Sequence, residues 1–371
     1  MDPLVSIIIP VYNGANYMRE AIDSALAQTY SNIEIIVVND GSNDGGATRK
    51  IAKSYGDKIR YFEKTNGGVS TALNMGIKNM YGEYFSWLSH DDLYYPDKIQ
   101  AQIDALRQAG DMSKIVYSNW SRKEMPKGTV TEYNGAQMYR QNFLETGAFT
   151  TIFGLVSGCS LLIPKIYFDA YGGFDETFRC VQDYKKWFEL FRGKRLIYIR
   201  KSLIISRSHP QQTTHSLSGL MNVEEKWLYF RMLYDANEND ICGSGLTDMY
   251  NFYCAVFSRW AQSKFKNAVD FAAEKIKSLP ESPDTDERIN KLAEFLNQGE
   301  YDTYFIKDHE IRIKLELALR GIVLQDDDKF VTLNQLNTLK SDKKIRLLDL
   351  VSLFQWLIDT PIKKEIFNRI C

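Results

Sequence analysis

Asp40 in Val-Val-Asn-Asp-Gly-Ser and the adjacent pair Asp91-Asp92 in Trp-Leu-Ser-His-Asp-Asp are the residues best suited to chemistry in this 371-residue chain. A hard divalent cation takes oxygen ligands, and Mg²⁺ or Mn²⁺ is commonly held by one or two carboxylates together with substrate phosphates. Glycines nearby, Gly41 beside Asp40 and the pair Gly67-Gly68, allow phosphates to approach the backbone. The set points to metal–nucleotide binding. A plainer role stays open for Asp91-Asp92, which could cap the helix that follows Pro96. A dinucleotide fold would instead carry Gly-x-Gly-x-x-Gly in its first turn. That turn here reads Pro10-Val11-Tyr12-Asn13-Gly14-Ala15-Asn16, with one glycine, and a P-loop is also missing. Ligand binding falls to carboxylates rather than glycine amides.

These residues need strands to deliver them. Val5 to Ile9 is a continuous β-branched run, the signature of a strand buried on both sides of a parallel sheet. Ile33 to Val38, Ile59 to Phe62 and Tyr84 to Leu88 read as further strands. Helical spacing separates them over Tyr17 to Gln28, Thr48 to Tyr55 and from Gly67-Gly68 through Ile77. The order is βαβαβαβ, which predicts a Rossmann-like doubly wound α/β sheet. Its crevice lies beyond the carboxyl ends of the strands, where Tyr12-Asn13, Asp40 and Asp91-Asp92 fall. A helix over Lys98 to Leu106 and short strands at Ile115 to Ser118, Leu161 to Pro164 and Leu196 to Ile199 follow, with an irregular stretch at 119–150 and an aromatic-rich helix over Asp183 to Phe191. Past about 219 long helical patterns dominate, which predicts a catalytic domain over 1–219 and a helical domain over 220–371.

Composition narrows the class. Lys plus Arg total 46 against 47 Asp plus Glu, so no basic field exists to hold nucleic acid. Hydrophobic residues at 44% supply a core, which excludes disorder over most of the chain. Cys159, Cys180, Cys242, Cys254 and Cys371 form neither a disulfide framework nor a zinc spacing, as expected in a reducing cytoplasm. The first residues lack a signal-peptide pattern, and no run reaches the roughly 18 apolar residues of a membrane span.

Four motifs in order, Val-Ser-Ile-Ile-Ile-Pro-Val-Tyr-Asn (5–13), Val-Val-Asn-Asp-Gly-Ser-Asn-Asp-Gly (37–45), Asn-Gly-Gly-Val-Ser-Thr-Ala-Leu-Asn-Met-Gly-Ile (66–77) and the segment 82–98 ending in His-Asp-Asp-Leu-Tyr-Tyr-Pro-Asp-Lys, closely resemble the family 2 nucleotide-sugar glycosyltransferases of the GT-A fold. Gly-Gly-Phe-Asp-Glu-Thr-Phe (172–178) and Gln182-Asp183-Tyr184 carry the likeness to about residue 215. The resemblance implies that Pro10, Val11 and Tyr12, with Asn13, flank the nucleobase, and that Asp40, with Gly41, accepts a hydrogen bond from it, N3–H of uracil in the simplest case. Gly67 and Gly68 would pass near the nucleotide. Asp91 would contact the ribose or metal, Asp92 would ligate the divalent ion, and Asp183 would be the catalytic base. Arg207 and His209, in a loop like the family's later one, would reach the diphosphate or the metal. His209 reads equally as part of a polar surface loop, and His215 is a weaker candidate. Two departures from the family pattern stand out: Ser89 replaces an Asp, which leaves the division of ribose and metal duties between Asp91 and Asp92 open, and Leu73 replaces an Arg, which shifts diphosphate neutralisation toward the metal and Arg207.

The chemistry is coherent without the family. Sugar transfer needs an answer to the departing diphosphate and a base for the attacking hydroxyl. A cation supplies the first; one carboxylate, worth ~10²–10⁴-fold, supplies the second. Asp183 suits that task, after a Gly-Gly loop and before Tyr184, Trp187 and Phe188, which could shape a sugar pocket; it could instead cap that helix. The expectation is an inverting glycosyltransferase using Mn²⁺ or Mg²⁺, a UDP-sugar donor and a glycan or lipid-linked acceptor. A catalytically silent sugar- or nucleotide-binding module is the rival from another class, and a nucleotidyltransferase fits less well. Six Lys or Arg against three Asp or Glu in 343–371 surround a dense apolar stripe, either a helix packed on its domain or a peripheral membrane contact. The long helices could also pair between copies.

Overall fold

The computed structural model describes residues 2–137, 139, 141–212 and 217–241, with scattered positions between 249 and 275. The chain divides into two compact units, Met1–Thr247 and Asp248–Cys371. Expectations for His215 and for the stripe at 343–371 lie outside the described residues.

Strand β1 (Val5–Val11) is buried along its whole length because it runs in the middle of a five-stranded sheet. It pairs in parallel with β2 (Ile33–Asp40) on one side and β4 (Tyr84–Trp87) on the other. β3 (Arg60–Lys64) extends the sheet beyond β2, and β8 (Ile163–Pro164) closes the far edge antiparallel to β4. The order β3-β2-β1-β4-β8 reverses its winding between β1 and β4. In open α/β sheets such a switch point leaves a crevice at the strands' carboxyl ends.

Helices α1 (Met18–Leu26), α2 (Ala47–Lys53) and α3 (Val69–Asn79) connect the parallel strands. Gly76 sets how closely α3 seats on β1, since a methyl there would stand 2.4 Å from Ile8 Cγ2. Leu73 of α3 is fully buried.

A second sheet departs from the expectation. Its order is β5-β9-β6-β7, built from β5 (Leu93–Tyr94), β6 (Val116–Glu124), β7 (Val130–Tyr133) and β9 (Ile197–Ser208). Stretch 119–150 is therefore partly a hairpin, and β9 is three times the four-residue strand read from sequence. β6 and β9 run parallel, with Val116 facing Ile197 and Glu124 facing Ser208. Register shifts between Ser118 and Ser121 absorb the extra residues of β9, and Asn119 Nδ2 donates to the Arg200 carbonyl at 2.9 Å within that bulge.

After α4 (Lys98–Gln108), the short helices α5 (Gln141–Leu144), α6 (Gly147–Ile152) and α7 (Lys165–Tyr171) lead to α8 (Gln182–Phe191). α9 (Ser218–Asp235) buries Leu228, Tyr229, Met232 and Leu233 and is followed by α10 (Glu238–Ile241). Both lie within the first compact unit, which runs past the change of sequence character at 219.

Gly147 fixes α6 to the end of α8, because an added methyl would sit 2.1 Å from the Phe191 carbonyl oxygen. Gly147→Ala should cost about 1–3 kcal/mol, read as a lower urea midpoint at unchanged m-value.

Candidate active site

At the end of β1 the chain turns sharply. Pro10 and Val11 are buried inside the strand, so Tyr12 and Asn13 alone carry that stretch into solvent. Tyr12 is 42% exposed. Asn13 adopts φ +50°, a left-handed conformation that Asn tolerates. Its Nδ2 donates to Asn43 Oδ1 at 2.7 Å, and its Oδ1 accepts from Asn43 N–H at 2.9 Å, which ties the loops after β1 and β2 together.

Asp40, at the end of β2, is buried and fully engaged. Its carboxylate accepts N–H of Gly67 at 3.0 Å and of Gly68 at 2.7 Å, and pairs with Lys64 Nζ at 2.7 Å. The loop 66–68 is folded around it. Gly41, at φ +68°, permits the approach, since a Cβ there would be 2.5 Å from Asn66 N. In this arrangement Asp40 anchors the double glycine.

Asp91 and Asp92 close β4 and lead directly into β5. Antiparallel pairing sets Leu93 opposite Ile205, and the same register carried two residues further sets Asp91 opposite Arg207. Arg207 N–H donates to Asp92 Oδ1 at 2.9 Å, and its Nε donates to the Asp91 carbonyl. Its Nη1 pairs with Glu20 of α1 at 2.6 Å, and the guanidinium lies 4.7 Å over the Tyr17 ring. Cys159 Sγ donates to Asp92 Oδ2 at 3.6 Å. Asp92 is thus turned inward, and burial next to Asp91 raises its carboxyl above the ordinary value. Asp91 faces the other way: its Oδ2 meets His209 Nε2 at 3.1 Å and Gln212 Nε2 at 3.3 Å.

Arg207 is only 2% exposed and paired with Glu20. Asp92 has both oxygens held by protein donors, while Asp91 and His209 lie side by side, a carboxylate next to an imidazole. Among the described residues no group of three or more His, Cys, Asp or Glu forms a metal centre without help. A carboxylate beside an imidazole still suits a cation whose remaining ligands come from phosphates. His209 Nδ1 and Arg207 Nη2 at this spot are buried without hydrogen-bond partners.

Asp183 occupies the first turn of α8, where Val181 is the N-cap. It is therefore not the cap. Its Oδ1 accepts the Tyr184 N–H at 2.9 Å, and burial raises its carboxyl from 3.8 to about 6. Trp187 and Phe188 are buried; Tyr184 donates its hydroxyl to the Val156 carbonyl at 2.8 Å. Segment 156–159 consequently touches Tyr184 at one end and Asp92 at the other. No hydrogen bond or ion pair joins Asp183 to Asp40, Asp91 or Asp92 among the described residues.

The sequence reading missed Glu20, Tyr17, Lys64 and Cys159. Only Lys64 offered a signal, a cation three residues ahead of the double glycine.

Residues 6–167 match the family described as Glycosyl transferase family 2. An uncharacterised glycosyltransferase of Rickettsia typhi is 53% identical over 230 residues, covering 62% of this chain and 72% of that protein. The chain belongs to glycosyl transferase family 2. A second relative, from Rickettsia felis, is 49% identical over 239 residues; the match covers 64% of this family 2 chain but only 40% of the relative's length. The fold of this glycosyl transferase family 2 chain also resembles that of Staphylococcus aureus TarS, solved in complex with UDP-GlcNAc, at a TM-score of 0.55 and 16% identity over 86% of each chain. The architecture is the GT-A fold.

The raised Asp183 carboxyl has a consequence for stability. The folded state keeps its proton up to about pH 6, whereas the unfolded chain releases it near 3.8, so stability falls as pH rises through that window. Asp183→Asn should be more stable than wild type at pH 7.5, by on the order of 2 kcal/mol, with the difference gone below pH 4 in urea titrations.

Proposed function

We propose that the chain is an inverting glycosyltransferase that moves a sugar from a nucleotide-diphospho-sugar, a UDP-sugar in the simplest case, to a hydroxyl of a glycan or lipid-linked acceptor. The observation that carries the reading is Asp183: a carboxyl at the mouth of a helix, held by one backbone N–H, with its proton affinity raised to about 6. A group tuned near the working pH is an efficient proton acceptor. In a single displacement, Asp183 takes the hydroxyl proton as the acceptor oxygen bonds to the anomeric carbon and the diphosphate leaves from the opposite face.

The β1–β4 switch point provides the donor site. Tyr12, exposed at its edge, offers a ring for the base, and the loop around Gly67 and Gly68 forms its floor next to Asp40. Asp91 and His209 would hold Mn²⁺ or Mg²⁺, which when bound offsets the charge of the departing diphosphate. Asp92 and Arg207 keep that pair in place from below. TarS, a neighbour in fold, is known with UDP-GlcNAc, the donor class proposed here.

Asp183→Asn should lower turnover by at least ~10²-fold while calorimetry shows UDP affinity within about twofold of wild type. For the wild type, kcat/KM should rise with pH through about 6, since only the unprotonated carboxyl accepts a proton. Full transfer by Asp183→Asn would refute the base assignment, and a wild type that releases no UDP from any UDP-sugar would favour a silent binding module. Asp91→Asn should remove the gain in UDP affinity that Mn²⁺ confers on the wild type; an undiminished gain would move the cation elsewhere.

A further inference from the structure

The following rests on the donor reading above and assigns one more residue to it. A nucleotide-diphospho-sugar brings two phosphates to the crevice, and the obvious cations are already committed. Lys64 is paired with Asp40, and Arg207 with Glu20. Leu73, on the helix that follows the double glycine, has no exposure at all, so a charge there would enter the core.

Arg179 is different. Its guanidinium lies against Gly68: a Cβ built on that glycine would be 3.7 Å from Cζ, 3.8 Å from Nη1 and 3.9 Å from Nη2. Three nearly equal distances mean that the guanidinium lies face-on against the glycine, at ordinary van der Waals distance. Among the described residues no carboxylate pairs with that guanidinium. Glu224 of α9 gives its carboxylate to the backbone, accepting N–H of Arg179 at 3.1 Å and of Cys180 at 2.9 Å.

Both ends of the loop are pinned through the main chain. Asn74 of α3 accepts the Phe174 N–H at 2.7 Å and donates to the Phe174 carbonyl at 2.9 Å, while Glu224 holds the loop at Arg179 and Cys180. The backbone is fixed and the exposed cation is left without a protein anion. Since Lys64 and Asp40 cancel, Arg179 makes the Gly67-Gly68 corner net positive. Its planar fork matches two phosphate oxygens at once. Four residues later the same loop reaches Asp183, so the cation and the carboxyl are carried by one short segment.

We propose that Arg179 binds the diphosphate of the donor, from the loop at 173–181, and that Glu224 is a positioning residue that aims it. The test is calorimetry on the full chain with Mn²⁺, comparing UDP with uridine and GDP with guanosine. Arg179→Ala should weaken the diphosphate that wild type binds by ~10-fold or more, the loss of a charge-assisted hydrogen bond, and leave its nucleoside within about twofold. Arg179→Lys should recover part of the loss. Glu224→Ala should raise the donor KM with little change in kcat, and Glu224→Gln, which keeps one acceptor oxygen, should restore most of it. Unchanged diphosphate affinity in Arg179→Ala, or an equal fall for the nucleoside, overturns the assignment and leaves the donor reading standing. A wild type that binds neither diphosphate overturns both.

Discussion

Carboxylates can be gathered at the end of a sheet only if something answers their charge, and Arg207 is that answer. It is buried, yet its backbone N–H, Nε and Nη1 reach Asp92, the Asp91 carbonyl and Glu20 in turn. Burying one charge without a partner costs several kcal/mol, whereas a paired and hydrogen-bonded one is tolerated. The Arg207 network joins the central sheet, helix α1 and strand β9 at one point. Loss of that side chain would leave the Asp91 carbonyl without its donor and release Glu20 of α1 from β9, so the turn would lose its tie to the helix.

The other half of the crevice uses the same logic with smaller parts. Asp40 folds the loop 66–68 around itself with two backbone N–H groups and Lys64. Asn74 and Glu224 do likewise for the loop that precedes α8. In each case a side chain satisfies main-chain donors that would otherwise be orphaned in a loop. Loops held this way are rigid where the chemistry needs them rigid, and side chains such as Tyr12 and Arg179 are left to meet a ligand.

Much of this was legible in the sequence. β1, β2 and β4 are apolar on both faces because they lie in the middle of a sheet, so their residues announce them without periodicity. The polar clusters after them fell at the carboxyl ends for the same reason. The second sheet was harder to see. β7 is exposed at every residue, so no apolar face marks it, and the bulge places polar Arg200-Lys201-Ser202 inside β9. Arg207 read as a phosphate cation because a sequence displays a charge but not its partner; Glu20 is 187 residues away. The inward turn of Asp92 was equally hidden, since it depends on Cys159 and on the register of a strand more than a hundred residues later.

The bulge between β6 and β9 takes up a mismatch in length. From Val116 to Glu124, β6 advances eight residues while its neighbour advances eleven, from Ile197 to Ser208. Strand pairing with period two would turn every side chain over if a single residue were gained or lost. Slack gathered at one irregular spot acts like a vernier: shortening or lengthening it by two residues would slide Arg207 along β5 and β6 while Ile197 stayed opposite Val116. Variation in the length of this one kink is thus a route by which relatives could retune the spacing between cation and carboxylates without rebuilding the scaffold.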